Sequence, residues 1–181
     1  MVSNSERLAR LQQHAKSCRL CGNRCEVERG TEANICGADE TAEVARIVVH
    51  KGEEPPISGS RGCGNFFFQH CGLACVFCQN WQISNSKEEV ESQQITAGEM
   101  AAEMLRLQSD GVHTIGLVSA ASHLPTVVPA LMQVRDELKI PVVYNAGGYE
   151  TVEALELLEG LVDVYLPDMK YASSEAAKVY S

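Results

Sequence analysis

No stretch of this chain approaches the roughly 18 consecutive apolar residues that a membrane-spanning helix needs, so the sequence gives no helical span. The opening residues, MVSNSERLARLQQHAKSC, lack the apolar segment of a secretory signal. The expectation is a soluble, cytoplasmic protein in a reducing compartment, where thiols serve as ligands rather than bridges. Lys and Arg are scattered and the formal net charge is -9, which argues against nucleic-acid and membrane partners and for small molecules or proteins. Cysteine is absent after Cys78, so all eight thiols fall in the first 78 residues. With 181 residues the chain can bury roughly 70% of its unfolded surface as one ordinary domain, and needs no disulfides to do so.

What is present divides in two. Residues 1–62 read as a cysteine-rich module and linker. A charged, helix-compatible start (Ser5 to Lys16) leads into CRLCGNRCEVERGTEANIC, which has too few apolar residues for a core of its own. A β-like run, VARIVVH at 44–50, follows, and then EEPPISGSRGCG, a Pro- and Gly-rich loop. Residues 63–181 are more regular. NFFFQH, HTIGLVSA, IPVVYNA and VDVYLPDMK read as four buried strands, and SNSKEEVESQQ as a solvated loop. Between the strands, Thr96 and Glu99 form a capping box before AAEMLRLQ, and LPTVVPALMQVRDEL has Pro in its first turn. Thr151 caps TVEALELLEG, with Leu155 and Leu158 on one face and Gly160 as the stop. Apolar strands alternating with amphipathic helices predict an α/β fold with a parallel sheet. Phe66 to Phe68 and Trp81 are expected in the core or facing a cofactor.

The chemistry concentrates in CGLACVFC, where Cys71, Cys75 and Cys78 offer three soft thiolates just after the first parallel strand. A structural zinc site takes four protein ligands. A 4Fe-4S cube has four irons, so three cysteines leave one iron open, and that vacancy suits a substrate or cofactor. The carboxyl end of a parallel strand is also where α/β folds place active sites. Cys18, Cys21, Cys25 and Cys36 form a separate set of four, C-x2-C-x3-C-x10-C, fit for zinc or for a second cluster. Cys63 stands apart and reads as a buried free thiol. His123, after the second predicted strand, is a further candidate in the active-site layer. His14, His50 and His113 have no functional context.

CGLACVFC, with its aromatic before the last cysteine, resembles the signature of the radical S-adenosylmethionine superfamily. EEPPISGSRGCGNFFFQHCGLACVFCQNWQIS and VVYNAGGYETVEALELLEGLVDVYLPDMKY bring it close to the branch of pyruvate formate-lyase activating enzyme-like proteins. The resemblance runs from about Cys18 to Tyr171. It implies a partial (β/α) barrel whose 4Fe-4S cluster binds S-adenosylmethionine and cleaves it reductively to a 5'-deoxyadenosyl radical that abstracts hydrogen, with the cofactor supplying the chemistry. It also implies an electron donor such as a flavodoxin or ferredoxin, and a small-molecule or protein substrate. Cys71, Cys75 and Cys78 match the cluster ligands. Phe77 matches the aromatic near the adenine, Asn145 a polar residue near the methionine carboxylate, and Asp168 and Lys170 a D-x-K element near the cofactor.

Two features depart from the family pattern. A Gly-Gly-Glu element commonly follows the second strand, and here the stretch reads SAASH; Ser119, Ser122 and His123 are the polar residues in its place. Relatives continue for further strands, so the expectation is a barrel truncated after about four strands. A catalytically inactive zinc or iron-sulfur scaffold is the alternative that these departures motivate. A thiol redox protein ranks last, because C-x2-C at Cys75 lacks a thioredoxin context.

Overall fold

The computed structural model describes residues 2–31, 34–84 and 90–181. Its α/β architecture is built on a six-stranded mixed sheet. Strand β1 (Ala42–His50), strand β2 (Cys63–Phe68) and strand β3 (Gln93–Ile95) precede three further strands, β4 (Thr114–Val118), β5 (Val142–Ala146) and β6 (Val164–Pro167). Their order across the sheet is β3-β1-β2-β4-β5-β6. The four predicted strands, β2, β4, β5 and β6, are mutually parallel, with Asn65 beside Gly116, Val118 beside Asn145 and Asn145 beside Leu166. β1 runs antiparallel to β2, and β3 antiparallel to β1.

The helices follow from capping and periodicity. Helix α1 (Asn4–Lys16) starts at Ser3, whose hydroxyl accepts from the Glu6 N–H. The predicted loop at 53–64 carries a short helix, α2 (Pro55–Ser58), because Pro at the first helical positions gives up only an N–H that has no partner there anyway. Its last residues, Cys63 and Gly64, already belong to β2. Another single turn, α3 (Trp81–Ser84), follows the triple-cysteine loop.

Helix α4 (Ala97–Ser109) has the predicted capping box between Thr96 and Glu99. Helix α5 (Leu124–Val134) follows a 3-10 turn at Ala120–His123 and stops before the predicted RDEL end. Helix α6 (Val152–Leu158) is capped by Thr151 and stopped by Gly160, whose φ of 72° is the left-handed conformation a helix stop needs. Helix α7 (Ser174–Tyr180) is capped by Ser173, whose hydroxyl accepts from the Ala176 N–H.

Period-2 alternation gives the parallel strands two distinct faces. Phe66, Phe68, Ile115, Leu117, Val142 and Tyr144 point into one continuous core with Met100 and Met104 of α4, Val127 and Leu131 of α5, and Leu157 of α6. The opposite face carries Cys63, Val143, Val164 and Leu166, with Ile57 packed on it. Burying Leu11 of α1 and Leu20 in the main core ties the front of the chain to the sheet. Hydrogen-bonded pairing of β1 with β2 crosses the division drawn at residue 62.

Three sequence expectations need correction. In α6 the buried face is Ala154, Leu157 and Leu158, while Leu155 is exposed, because the helix starts at Val152 and sets that phase. Trp81 is exposed rather than core, at the start of the one-turn α3 that follows the triple-cysteine loop. The polar stretch at 84–94 is not all loop: its last residues enter β3, paired with β1. Residues 85–89 of that stretch lie outside the described residues.

Candidate active site and cysteine centres

At the carboxyl ends of the parallel strands lies a cavity of about 680 Å3, within the roughly 300–1,000 Å3 common for small-ligand sites. The chain leaves β2, turns sharply at His70 (φ 67°) and enters the triple-cysteine loop, where Ala74 is also left-handed (φ 49°). Non-glycine residues rarely adopt this conformation, and such strain concentrates where structure serves a site. Cys71, Cys75 and Cys78 all line the cavity, with Phe77 beside them. Burial pushes the Cys71 thiol above its ordinary value, partly offset by the N–H groups of Leu73 and Ala74 directed at it. Ser84 Oγ donates to Cys78 Sγ at 3.2 Å, and the Cys78 N–H donates to the Cys75 carbonyl at 3.1 Å. From α7, the Tyr180 carbonyl accepts from the Val76 N–H at 3.0 Å. Tyr171 meets Phe77 edge to face at 5.7 Å.

The facing wall comes from the other strand ends. Ser119 takes a left-handed conformation (φ 59°) after β4, and its N–H donates to the Asn145 carbonyl at 2.9 Å. Both residues line the cavity, as do Asp168 and Lys170 beyond β6. Lys170 Nζ lies 2.5 Å from Asp168 Oδ2. Partial burial works against the Lys170 ammonium, but the hydrogen bond and charge of Asp168 outweigh it and hold the amine above its usual value.

His123 does not join this wall. The 3-10 turn carries it to the helix side of the sheet, where it is fully buried, stacks on Phe68 at 5.3 Å and bonds the Gln69 carbonyl through Nε2 at 2.6 Å. Burial drives its imidazole down to about 3. It is a buried packing group, and its Nδ1 has no hydrogen-bond partner among the described residues. Cys63 is a buried free thiol as expected, raised by burial to about 11.

Several cavity residues carry no sequence signal. Glu150 lies directly after NAGGY and accepts a hydrogen bond from the buried Tyr144 hydroxyl at 3.3 Å. Its place next to a strand end is the only clue the sequence holds. Glu53 reaches the cavity from the proline-rich loop and accepts from Asn65 Nδ2 at 2.7 Å. Gly116 makes that contact feasible: a Cβ there would lie 1.9 Å from Asn65 Oδ1. No periodicity announces a pair 12 residues apart joined through a loop.

One of the front cysteines reaches the same cavity. Cys21 lines it, and a Cβ on Gly72 would come within 2.9 Å of Cys21 Sγ, so glycine is what lets the two cysteine loops touch. Asn23 Nδ2 donates to the Gly72 carbonyl at 2.7 Å, and the Gly22 N–H to the Tyr149 carbonyl at 2.8 Å. The Cys21 thiol is raised to about 11, mainly by burial, with Cys36, Cys18 and Cys25 close enough to add to the effect. All eight cysteines are free thiols. Among the described residues no three His, Cys, Asp or Glu side chains stand close enough to share a single metal ion. Nor, among them, is any helix long and apolar enough to cross a membrane.

No protein-family model matches this chain, and no solved structure matches it. Among curated proteins it is similar to the uncharacterized protein MJ0674 of Methanocaldococcus jannaschii, with 33% identity over 168 residues. That alignment covers 90% of this chain and 48% of the archaeal protein, so the chain spans about half the length of the curated relative it matches.

Proposed function

We propose that the chain is the cluster-bearing part of a radical S-adenosylmethionine enzyme of the activating-enzyme-like kind, with a partial (β/α) barrel as its frame. The observation that carries this reading is the convergence of Cys71, Cys75 and Cys78, from one loop at the carboxyl end of β2, on a cavity of about 680 Å3 that Phe77, Asn145, Asp168 and Lys170 also line. The donor set fits the group: thiolates are soft ligands suited to iron-sulfur clusters.

Cys71, Cys75 and Cys78 would hold the cluster, which when bound and reduced would supply the electron for cleaving S-adenosylmethionine to methionine and a hydrogen-abstracting 5'-deoxyadenosyl radical. The chain's own residues bind and orient. Phe77 offers its ring and backbone to the adenine, Asn145 its amide to the methionine carboxylate, and Lys170, fixed by Asp168, a positive charge on the same wall. Glu150 provides the carboxylate that SAASH lacks, and its bond from Tyr144 fixes its orientation toward an amino group. Ser119 shapes the rim, while His123 has no direct role. The second set, Cys18, Cys21, Cys25 and Cys36, is a metal centre against this site, of a further cluster or, with the thiols drawn closer together than they stand here, of zinc. Reduction by a flavodoxin- or ferredoxin-type donor in the cytoplasm completes the reading.

Anaerobic reconstitution with iron and sulfide, followed by dithionite and S-adenosylmethionine, tests it by chromatographic measurement of 5'-deoxyadenosine. Deoxyadenosine is expected from the wild type and not from Cys75→Ser. Formation of a cluster without deoxyadenosine would favour the inactive scaffold.

A further inference from the structure

Arg29 lies in the front segment and is 4% exposed. A guanidinium remains protonated in proteins, and a buried charge is costly unless it is paired. Among the described residues no carboxylate lies within ion-pair distance of it. Its nitrogens donate instead to two backbone carbonyls, of Asp39 at 2.7 Å and of Ser122, and to Cys18 Sγ at 3.4 Å. Asp39 is adjacent but turns its carboxylate to the Glu40 N–H at 2.6 Å. Arg29 Nε has no partner at all among the described residues. Among the described residues, a full positive charge is thus buried against a cysteine sulfur, with one donor left over.

That arrangement is explained if the sulfur side is strongly negative. Four thiolates around zinc, or around a 4Fe-4S cube, carry more negative charge than the metal neutralises, and the excess needs a nearby cation. We infer that Arg29 is the buried counter-cation of an anionic metal-thiolate centre formed by Cys18, Cys21, Cys25 and Cys36. The inference rests on the front set binding a metal, and is independent of radical chemistry at the triple-cysteine loop. Arg29 also has a mechanical reach: Ser122, whose carbonyl it holds, lines the main cavity along with Ser119 of the same turn. Charge at the front centre is therefore joined through one side chain to the wall of the candidate active site.

The role is that of a positioning residue, and it makes a prediction of opposite sign with and without metal. A Cys71→Ser, Cys75→Ser, Cys78→Ser background isolates the front set. Into it go Arg29→Met and Arg29→Lys, and each protein is titrated anaerobically with Co2+ as a stand-in for zinc, and separately reconstituted with iron and sulfide. One arm identifies a zinc-type site by thiolate-to-cobalt charge-transfer bands, the other a cluster by its iron and sulfide content and midpoint potential. The metal that binds should do so at least tenfold more weakly in Arg29→Met, with Arg29→Lys recovering most of the loss. In the iron arm the midpoint potential should also move to more negative values, because removing a cation disfavours the added electron. Without metal, Arg29→Met should be as stable to urea as the parent or more so, since it removes an uncompensated buried charge.

Equal metal affinity in parent and Arg29→Met would overturn the inference while leaving the metal site standing. So would a stability loss in Arg29→Met that is the same with and without metal, which is the mark of a merely structural role. Failure of the parent to bind either metal would overturn the metal site itself, and the inference with it.

Discussion

At the scale of single residues, the molecule separates groups that face the cavity from groups that only neighbour it. His123 illustrates the difference. Its position after a strand suggested a site residue, but a left-handed Ser119 and a 3-10 turn swing it to the helix side of the sheet. Sequence reports proximity along the chain, whereas the direction of a side chain after a strand depends on a turn that composition does not encode. The three cysteines were legible because their identities and spacing are the signal. Glu53, Glu150 and Arg29 were not, because a single charged residue in a loop looks the same whether it faces solvent or a cavity. The burial of His123 has a consequence in solution. Its folded pKa, about 3, lies below the ordinary 6.5, so the unfolded chain binds the proton first. The stability contributed by the neutral ring is complete above about pH 6.5 and falls as pH drops toward 3, by up to about 1.4 kcal/mol per pH unit. Urea unfolding between pH 7 and 4 should show a shallower acid loss for His123→Gln than for the wild type; parallel curves would contradict the assignment.

At the scale of elements, most of the architecture was written in local patterns. The capping box of Thr96 and Glu99, the Thr151 cap, Gly160 and the apolar runs of β2, β4, β5 and β6 all act within a few residues, so a linear reading finds them. β3 escaped because an edge strand of three residues, QQI, has a single apolar side chain, Ile95, and too little length to show a period. Close approach of β2 and β4 likewise depends on a residue with no side chain: Asn65 lies over Gly116, with Cys63 Sγ 2.8 Å from where a Cβ would stand. Backbone neighbours in a parallel sheet cannot move apart without losing hydrogen bonds, so Gly116→Ala should cost about 1–3 kcal/mol by overpacking. Its equilibrium unfolding midpoint, compared with that of Gly98→Ala on the exposed face of α4, measures this. Equal midpoints would show that the Asn65 contact relaxes freely.

At the scale of the whole molecule, the cysteine-rich front and the sheet are packed as one body. Leu20 lies between Cys18 and Cys21, yet it is 1% exposed within the same core as Phe66 and Leu131. Leu20→Ala should therefore destabilise the whole chain by about 2–5 kcal/mol, lowering the midpoint of its far-ultraviolet circular dichroism transition. A change confined to metal binding, with that midpoint intact, would mean the front folds on its own. Integration of this kind brings Cys21 to the wall of the cavity that holds Cys71, Cys75 and Cys78. The central claim is that this cavity joins an iron-sulfur cluster to S-adenosylmethionine. Electron paramagnetic resonance of the anaerobically reconstituted, reduced protein, recorded with and without S-adenosylmethionine, tests it most directly. The account predicts a 4Fe-4S signal that changes on adding the cofactor and is lost in Cys71→Ser; a signal indifferent to S-adenosylmethionine, or none, would contradict it.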